Sequence, residues 1–203
     1  MSYLSNENYL QLSNSEIDWC NKYHITFDLY STVRDLFASK VDKGGEPYIK
    51  HLKRVTENVK PQFARIAFCH DVIEDCGVDE KWLMNSDFGL TEYEIKAIRT
   101  LTRPKGMTYS DYILSIMNTE DLDIMYVKMA DLLDNMNLNR LRDMSKEDID
   151  RITDRYIPAY EHLSTKIWQI IQTAKINEEM ADIYMDLLSD ERFDEGKGKE
   201  YGF

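Results

Sequence analysis

Cysteine is scarce in this chain of 203 residues: there are three, Cys20, Cys69 and Cys76, an odd count without CxxC spacing. That argues against a disulfide framework and against a thiolate zinc site, and the thiols are expected to be reduced and partly buried. Four prolines and eight glycines are too few for collagen-like or low-complexity segments. No apolar run approaches the roughly 20 residues that span a bilayer, and mean hydropathy is −0.52, so no membrane partner is expected. The opening stretch, MSYLSNENYLQLSNSE, lacks the basic and apolar regions of an export signal, and a cytoplasmic location is expected. Positive charge is the last shortage. Twenty-five basic against 37 acidic residues give −12, a field that repels polyanions, so duplex nucleic acid is not an expected partner. Oligomeric state is left open.

What is present is a chain that is 43% hydrophobic and 31% charged, long enough to bury roughly 70% of its unfolded surface in one domain. Its acidity is uneven. Residues 178–200 hold nine acids against three cations, whereas 40–54 hold five cations, Lys40, Lys43, Lys50, Lys53 and Arg54, against Asp42 and Glu46. A small anion can bind at that second segment despite the overall charge.

Helical periodicity dominates, and no alternating apolar and polar run bounded by hairpin turns competes with it, so the fold class is all-α. Phe27, Tyr30, Val33 or Arg34, and Phe37 mark one helix; a flexible Gly-Gly loop at 41–48 follows, and Pro47 precedes a helix bearing Ile49, Leu52, Val55 and Val59. Pro61 is placed to begin a single, nearly apolar and therefore central helix, PQFARIAFCHDVIED, stopped by Gly77. Thr91 with Glu94 has capping-box spacing for a helix that ends before Pro104. Further helices are expected over 109–117 and from 122 through KMADLLDNMNLNRL, and Ser145 with Asp148 opens a long one in which Pro158 should impose a kink or irregularity. The division expected is an N-terminal helical extension over 1–25, a core over 26–175, and an acidic C-terminal helix and tail over 176–203.

Two of the four histidines sit beside carboxylates. His70 and Glu74 are four apart, as are Asp71 and Asp75, so two rows of polar groups emerge from an otherwise apolar helix. Burying them requires ion pairs or a divalent cation. Lys128, Asp131 and Asn135 recur at spacings of three and four on another helix. A local Lys128–Asp131 ion pair explains the lysine, and a ligand role is preferred for Asp131. His51 follows GGEPYIK at the start of its helix.

In order, His51, His70-Asp71 and Asp131 form the pattern H…HD…D, and the chain resembles the HD superfamily of metal-dependent phosphohydrolases. More narrowly, GEPYIKH, FCHDVIEDCG, DFGL followed by IRTLTR, and VKMADLLDNM are similar to the hydrolase domain of RelA/SpoT proteins and their small hydrolase-only relatives, over about residues 27–160. The resemblance implies an HD-domain helical bundle with a metal site between central helices, and, as the chain ends at Phe203, hydrolysis without the synthetase domain of bifunctional relatives. The expected reaction removes the 3′-pyrophosphate of (p)ppGpp. Alternatives are hydrolysis of a nucleoside monophosphate or a nicotinamide dinucleotide phosphate, or a catalytically silent nucleotide-binding regulator.

His51, His70, Asp71 and Asp131 are the implied metal ligands. Two imidazoles and two carboxylates suit one first-row divalent ion with open positions. The family usually holds Mn²⁺; Fe²⁺, Co²⁺, Ni²⁺ and Zn²⁺ share the donor preference. Glu74 and Asp75 match the pair assigned to positioning water and moving protons, with hydrogen bonding to a ligating histidine as the competing role. For a phosphorylated nucleotide, Lys43 and Lys128 lead the candidate cations, ahead of Lys50, Lys53, Arg54, Arg103 and Lys105. Asn135 matches a residue beside the nucleoside; Tyr109 and Tyr112 are candidates for lining the same pocket, with core packing expected for at least one.

The chain departs from the family at one point. An Arg-Lys pair usually precedes G-x-PYI-x-H, the arginine stacking on guanine, but here the positions are Asp42-Lys43 or Lys40-Val41. A lysine cannot reproduce the planar guanidinium stack, and Asp42 would repel an anion unless turned away. Weakened guanine discrimination is expected, with Lys40 or Lys43 acting on phosphate.

Overall fold

Local capping sets most helix starts. Ser13, Thr26, Thr91, Thr108, Asp121 and Ser145 each accept a backbone N–H of the first turn, and Ser13–Glu16, Thr91–Glu94 and Ser145–Asp148 are full capping boxes. In the computed structural model, which describes residues 12–140 and 144–173, the helices are α1 (Asn14–Tyr23), α2 (Phe27–Leu36), α3 (Tyr48–Glu57), α4 (Ala64–Cys69), α5 (Val72–Cys76), α6 (Glu80–Leu83), α7 (Glu92–Leu101), α8 (Tyr109–Asn118), α9 (Leu122–Met136), α10 (Lys146–Arg151) and α11 (Ile157–Thr173). Among the described residues there is no strand, and one isolated bridge joins Val41 to Pro47. The fold is all-α. No helix among them is long and apolar enough to cross a membrane. The expected acidic tail at 176–203 lies outside the described residues, as do the first eleven residues of the N-terminal extension.

The chain divides into two compact units, Met1–Leu163 and Ser164–Phe203. In the second, residues 164–173 are helical. In the first, α3 lies against α4 and α9, α4 against α7, and α7 and α8 against α9. Leu52, Ala64, Phe68, Ile98, Met129 and Leu132 are fully buried at these contacts. Trp19, on the N-terminal segment, packs on Tyr23, Tyr30 and Phe68, so α1 is built into the unit's core.

Three local expectations are corrected. The helix read as continuous from Pro61 to Gly77 is broken: a 3₁₀ turn at Pro61–Phe63 leads into α4, and the chain turns at His70 and Asp71 before α5. No glycine or proline marks that turn; Asp71 sits at φ −104°, ψ −1°, and the turn aims two adjacent side chains toward one point. The loop before α3 is ordered rather than loose. Asp42 N–H donates to Glu46 O at 2.7 Å and Gly45 N–H to Asp42 O at 2.9 Å, while Gly45 takes φ +78°, where a side chain would be strained. Finally, the helix expected from 122 through KMADLLDNMNLNRL begins at Leu122 but ends at Met136, and a 3₁₀ turn follows at Leu138–Arg140.

Pro158 does impose an irregularity. It has no N–H for the Asp154 carbonyl, and the preceding segment Ile152–Tyr156 is a π turn in which Ile157 N–H bonds Ile152 O. We predict that Ile98→Ala, in the α7 face that packs on the bundle centre, lowers unfolding free energy by about 2–5 kcal/mol. Urea titration followed by helical circular dichroism measures it; a loss below about 1 kcal/mol contradicts tight packing at that contact.

Candidate metal centre and its cleft

Three elements deliver four potential ligands. His51 comes from α3, His70 and Asp71 from the turn between α4 and α5, and Asp131 from α9. One donor atom from each lies within 4.8 Å of all the others. His51 Nε2 is 3.5 Å from Asp71 Oδ2 and 3.4 Å from Asp131 Oδ1; His70 Nε2 is 2.9 Å and 3.5 Å from the same two oxygens. Ligands about 2.1 Å from one ion lie roughly 3 to 4 Å apart. The four residues can therefore hold a metal ion.

Hydrogen bonds behind the histidines fit them for that role. His70 Nδ1 is 2.7 Å from the Ala67 carbonyl, which fixes the Nδ1–H tautomer of the neutral ring and leaves the lone pair on Nε2. That Nε2 is buried without a hydrogen-bond partner. His51 Nδ1 is 2.6 Å from Asp134 Oδ2, so its Nε2 likewise faces the cluster. Such outer carboxylates and carbonyls orient metal-ligating imidazoles. The acids are held too: Tyr48 OH donates to Asp71 Oδ2 at 2.7 Å, Lys128 Nζ to Asp131 Oδ2 at 2.7 Å and Asn135 Nδ2 to Asp131 Oδ1 at 2.5 Å.

The electrostatics are those of a cation site. Burial disfavours the charged form of His70, yet Asp71 and Asp131 outweigh it and push its pKa up to about 9. His51 is raised well above the imidazole range against the same burial, by bonds to Asp131, Asp134 and Asp71. Burial opposes ionisation of Asp71 and Asp131, but the imidazoles and, for Asp131, chiefly Lys128 hold both below the carboxylate range.

The cluster opens into a cleft of about 360 Å³, the size of a small-ligand pocket. Glu74 and Asp75 line it and are exposed; Glu74 Oε2 accepts the Arg103 N–H at 2.8 Å. Lys43, Lys128, Asn135 and Tyr112 also line it. Lys43 Nζ donates to Asn135 Oδ1 at 3.0 Å and lies 4.4 Å from the centre of the Tyr156 ring. Lys40 is not on the cleft lining; its ammonium caps the Asp75 carbonyl and sits over Phe37. Tyr112 is a core residue whose hydroxyl donates to the Leu101 carbonyl. The Tyr109 hydroxyl is buried with no partner. Asp42 also lines the cleft, but it is only 8% exposed and its carboxylate is paired with Arg54 at 2.6 Å. Lys50 is exposed and pairs with Glu46, and Lys53 covers Trp19.

Sequence reasoning missed Asp134, Tyr48, Arg151, Arg155 and Tyr156. Asp134 stands three residues after Asp131 and Tyr48 three before His51, one helical turn in each case, which is a usable signal. Nothing local marks Arg151, Arg155 and Tyr156, which reach the cleft from α10 and the π turn. No protein-family model matches the chain, and no curated protein matches it.

Protons and a divalent ion compete for the same lone pairs. Ion uptake should release protons at pH 7, and affinity should rise with pH toward about 9. In ion-free protein the raised His70 pKa contributes stability that is complete below the ordinary value of 6.5 and lost as pH rises through about 9. Calorimetric Mn²⁺ titration in buffers of different ionisation enthalpy measures the protons released; uptake without proton release at pH 7 contradicts this assignment.

Proposed function

We propose that this chain is a metal-dependent nucleotide phosphohydrolase of the HD type, that Mn²⁺ is its ion, and that the 3′-pyrophosphate of (p)ppGpp is its leading substrate. The observation that carries the reading is the oriented His51, His70, Asp71 and Asp131 set opening onto a cleft that cations and tyrosines also line. A substrate with both phosphate and an aromatic base matches that lining. The reading places the protein in the cytoplasm, acting on a free nucleotide.

Those four residues would hold the ion, which supplies Lewis acidity: it draws charge from a phosphoryl oxygen and makes water more acidic. The chain's own groups do the rest. Lys128, the cleft-lining cation beside Asp131, and Lys43, which bonds Asn135, neutralise phosphate oxygens. Arg103 adds a third cation, at the residue whose backbone N–H fixes Glu74. That bond leaves the second Glu74 oxygen available to orient the attacking water and accept its proton, with Asp75 beside it on the cleft wall.

Base recognition follows from Asp42. Because its charge is compensated by Arg54, its repulsion of an anionic ligand is reduced, and it supplies no flat guanidinium. Planar surfaces come instead from Tyr109 and Tyr156, whose ring centres are 6.1 Å apart, and from Arg151 and Arg155.

The test is release of pyrophosphate or orthophosphate, with Mn²⁺, from guanosine 3′,5′-bis(diphosphate), its adenosine counterpart, nucleoside monophosphates and nicotinamide dinucleotide phosphate. Pyrophosphate release from the first, with a modest preference over the adenosine compound, is expected. Release from another member alone reassigns the substrate, and tight binding without release means a silent regulator. His70→Ala and Asp131→Ala should lose ion and turnover together, whereas Glu74→Gln should keep the ion and lose roughly 100- to 10,000-fold in kcat. His24 and His162, both exposed, are control positions whose replacement should leave ion content unchanged. Full ion occupancy in both ligand variants contradicts the assignment.

A further inference from the structure

The loop before α3 is wired to the metal centre through one side chain. Arg54, three residues beyond His51 on α3, brings its guanidinium to three carboxylates. Nε donates to Asp134 Oδ1 at 2.7 Å, Nη2 to Asp42 Oδ2 at 2.6 Å and Nη1 to Glu46 Oε2 at 2.9 Å. On one side, Asp134 Oδ2 lies 2.6 Å from His51 Nδ1. On the other, Asp42 Oδ1 accepts the backbone N–H groups of Gly44 and Glu46 at 2.9 and 3.0 Å. A continuous path of charged hydrogen bonds therefore runs from the loop amides through Asp42, Arg54 and Asp134 to the back of a metal-ligating imidazole.

We propose that Arg54 is a positioning residue that couples the order of loop 41–47 to ion binding at His51, so that each strengthens the other. The inference rests on the reading that the cluster holds a divalent ion. Two physical steps carry it. An ion on His51 Nε2 makes the Nδ1–H a stronger donor, which tightens its bond to Asp134. Asp134 and Asp42 are 4% and 8% exposed, so neither carboxylate can exchange the guanidinium for bulk water without a large desolvation cost. A forked guanidinium fixes the orientation of both at once. Coupling of this kind is reciprocal: the factor by which an ordered loop raises ion affinity is the factor by which the ion favours the ordered loop. The loop carries Lys43, whose ammonium sits at Asn135 and Tyr156 in the cleft. Ion loading thereby also sets the cation that meets the ligand.

The experiment uses the full chain, Mn²⁺ alone as the ligand, and the variants Arg54→Lys, Arg54→Gln and Asp42→Asn. Calorimetry gives Mn²⁺ affinity, visible absorption of the Co²⁺-loaded protein gives ligand geometry, and amide hydrogen exchange follows Gly44 and Glu46. In the wild type, Mn²⁺ should slow exchange at both amides. Arg54→Lys and Asp42→Asn should weaken Mn²⁺ binding by roughly 10- to 100-fold, alter the Co²⁺ spectrum and abolish the Mn²⁺ effect on the two amides, with helical content unchanged. If Arg54→Gln fails to fold, Asp42→Asn still reads the link, because it keeps an oxygen for the loop amides and removes the charge facing Arg54. Wild-type Mn²⁺ affinity in both Arg54→Lys and Asp42→Asn, or no Mn²⁺ effect on the wild-type amides, overturns the coupling while leaving the metal reading in place. A wild type that binds no Mn²⁺ or Co²⁺ overturns both.

Discussion

The centre of this bundle is governed by the need to compensate carboxylates among apolar side chains. Asp131 and Asp134 stand on the inward face of α9, next to Leu132, Met129 and Ala130, all fully buried. Isolated there, they would take up protons. Lys128 answers Asp131, Arg54 answers Asp134, and the two imidazoles lie between them and Asp71. The remaining charge balance can be met in two ways: two protons on the histidines or one divalent ion on their lone pairs. Both supply two positive charges. Exchange between them therefore changes the local field little, and the surrounding hydrogen bonds can serve either state.

The same constraint accounts for the break in the central helix. In a continuous helix, adjacent residues point about 100° apart, so the turn helps His70 and Asp71 converge. The turn between α4 and α5 brings His70 Nε2 and Asp71 Oδ2 to 2.9 Å. The ring stays anchored by Ala67 one turn earlier. Helical bonding resumes at once, Asp75 N–H donating to the Asp71 carbonyl at 2.8 Å.

What the sequence made legible was local. Caps at Thr91 and Ser145, the helix stop at Gly77 and the disturbance ahead of Pro158 each depend on residues within one or two turns, and each is where the spacing put it. The candidate ligand set was legible chiefly through the resemblance, which orders His51, His70-Asp71 and Asp131 as H…HD…D; the polar rows on an apolar helix pointed by themselves only to the segment at His70 and Asp71. The turn at His70 was not legible, since no glycine or proline announces it and the reason for it is tertiary. Asp42 reads in sequence as a charge that repels an anion unless turned away; its partner Arg54 lies twelve residues on, and only the fold brings the two to 2.6 Å. The far wall of the cleft was hidden for the same reason. Arg151, Arg155 and Tyr156 belong to a segment whose irregularity could be foreseen from Pro158, while its direction depends on packing against α9.

The proposed binding of an anionic ligand by an acidic protein is no contradiction, because the two charges act over different ranges. At physiological ionic strength the net −12 is screened beyond about 8 Å, so it weakens approach by large polyanions without setting the energy of contact. Lys43, Arg103 and Lys128 line the cleft, where low local polarity would strengthen the pairing of each with a phosphate in the proposed complex. Lys128 is itself held by Asp131 at 2.7 Å, so in the proposed complex a phosphate would meet a cation already oriented and already stripped of much of its water. The cost of dehydrating that ammonium is met during folding, and the ligand contends with a fixed dipole rather than a mobile charge. A small, compact anion benefits most from such a site, since it can bring all of its charge inside the screening distance at once.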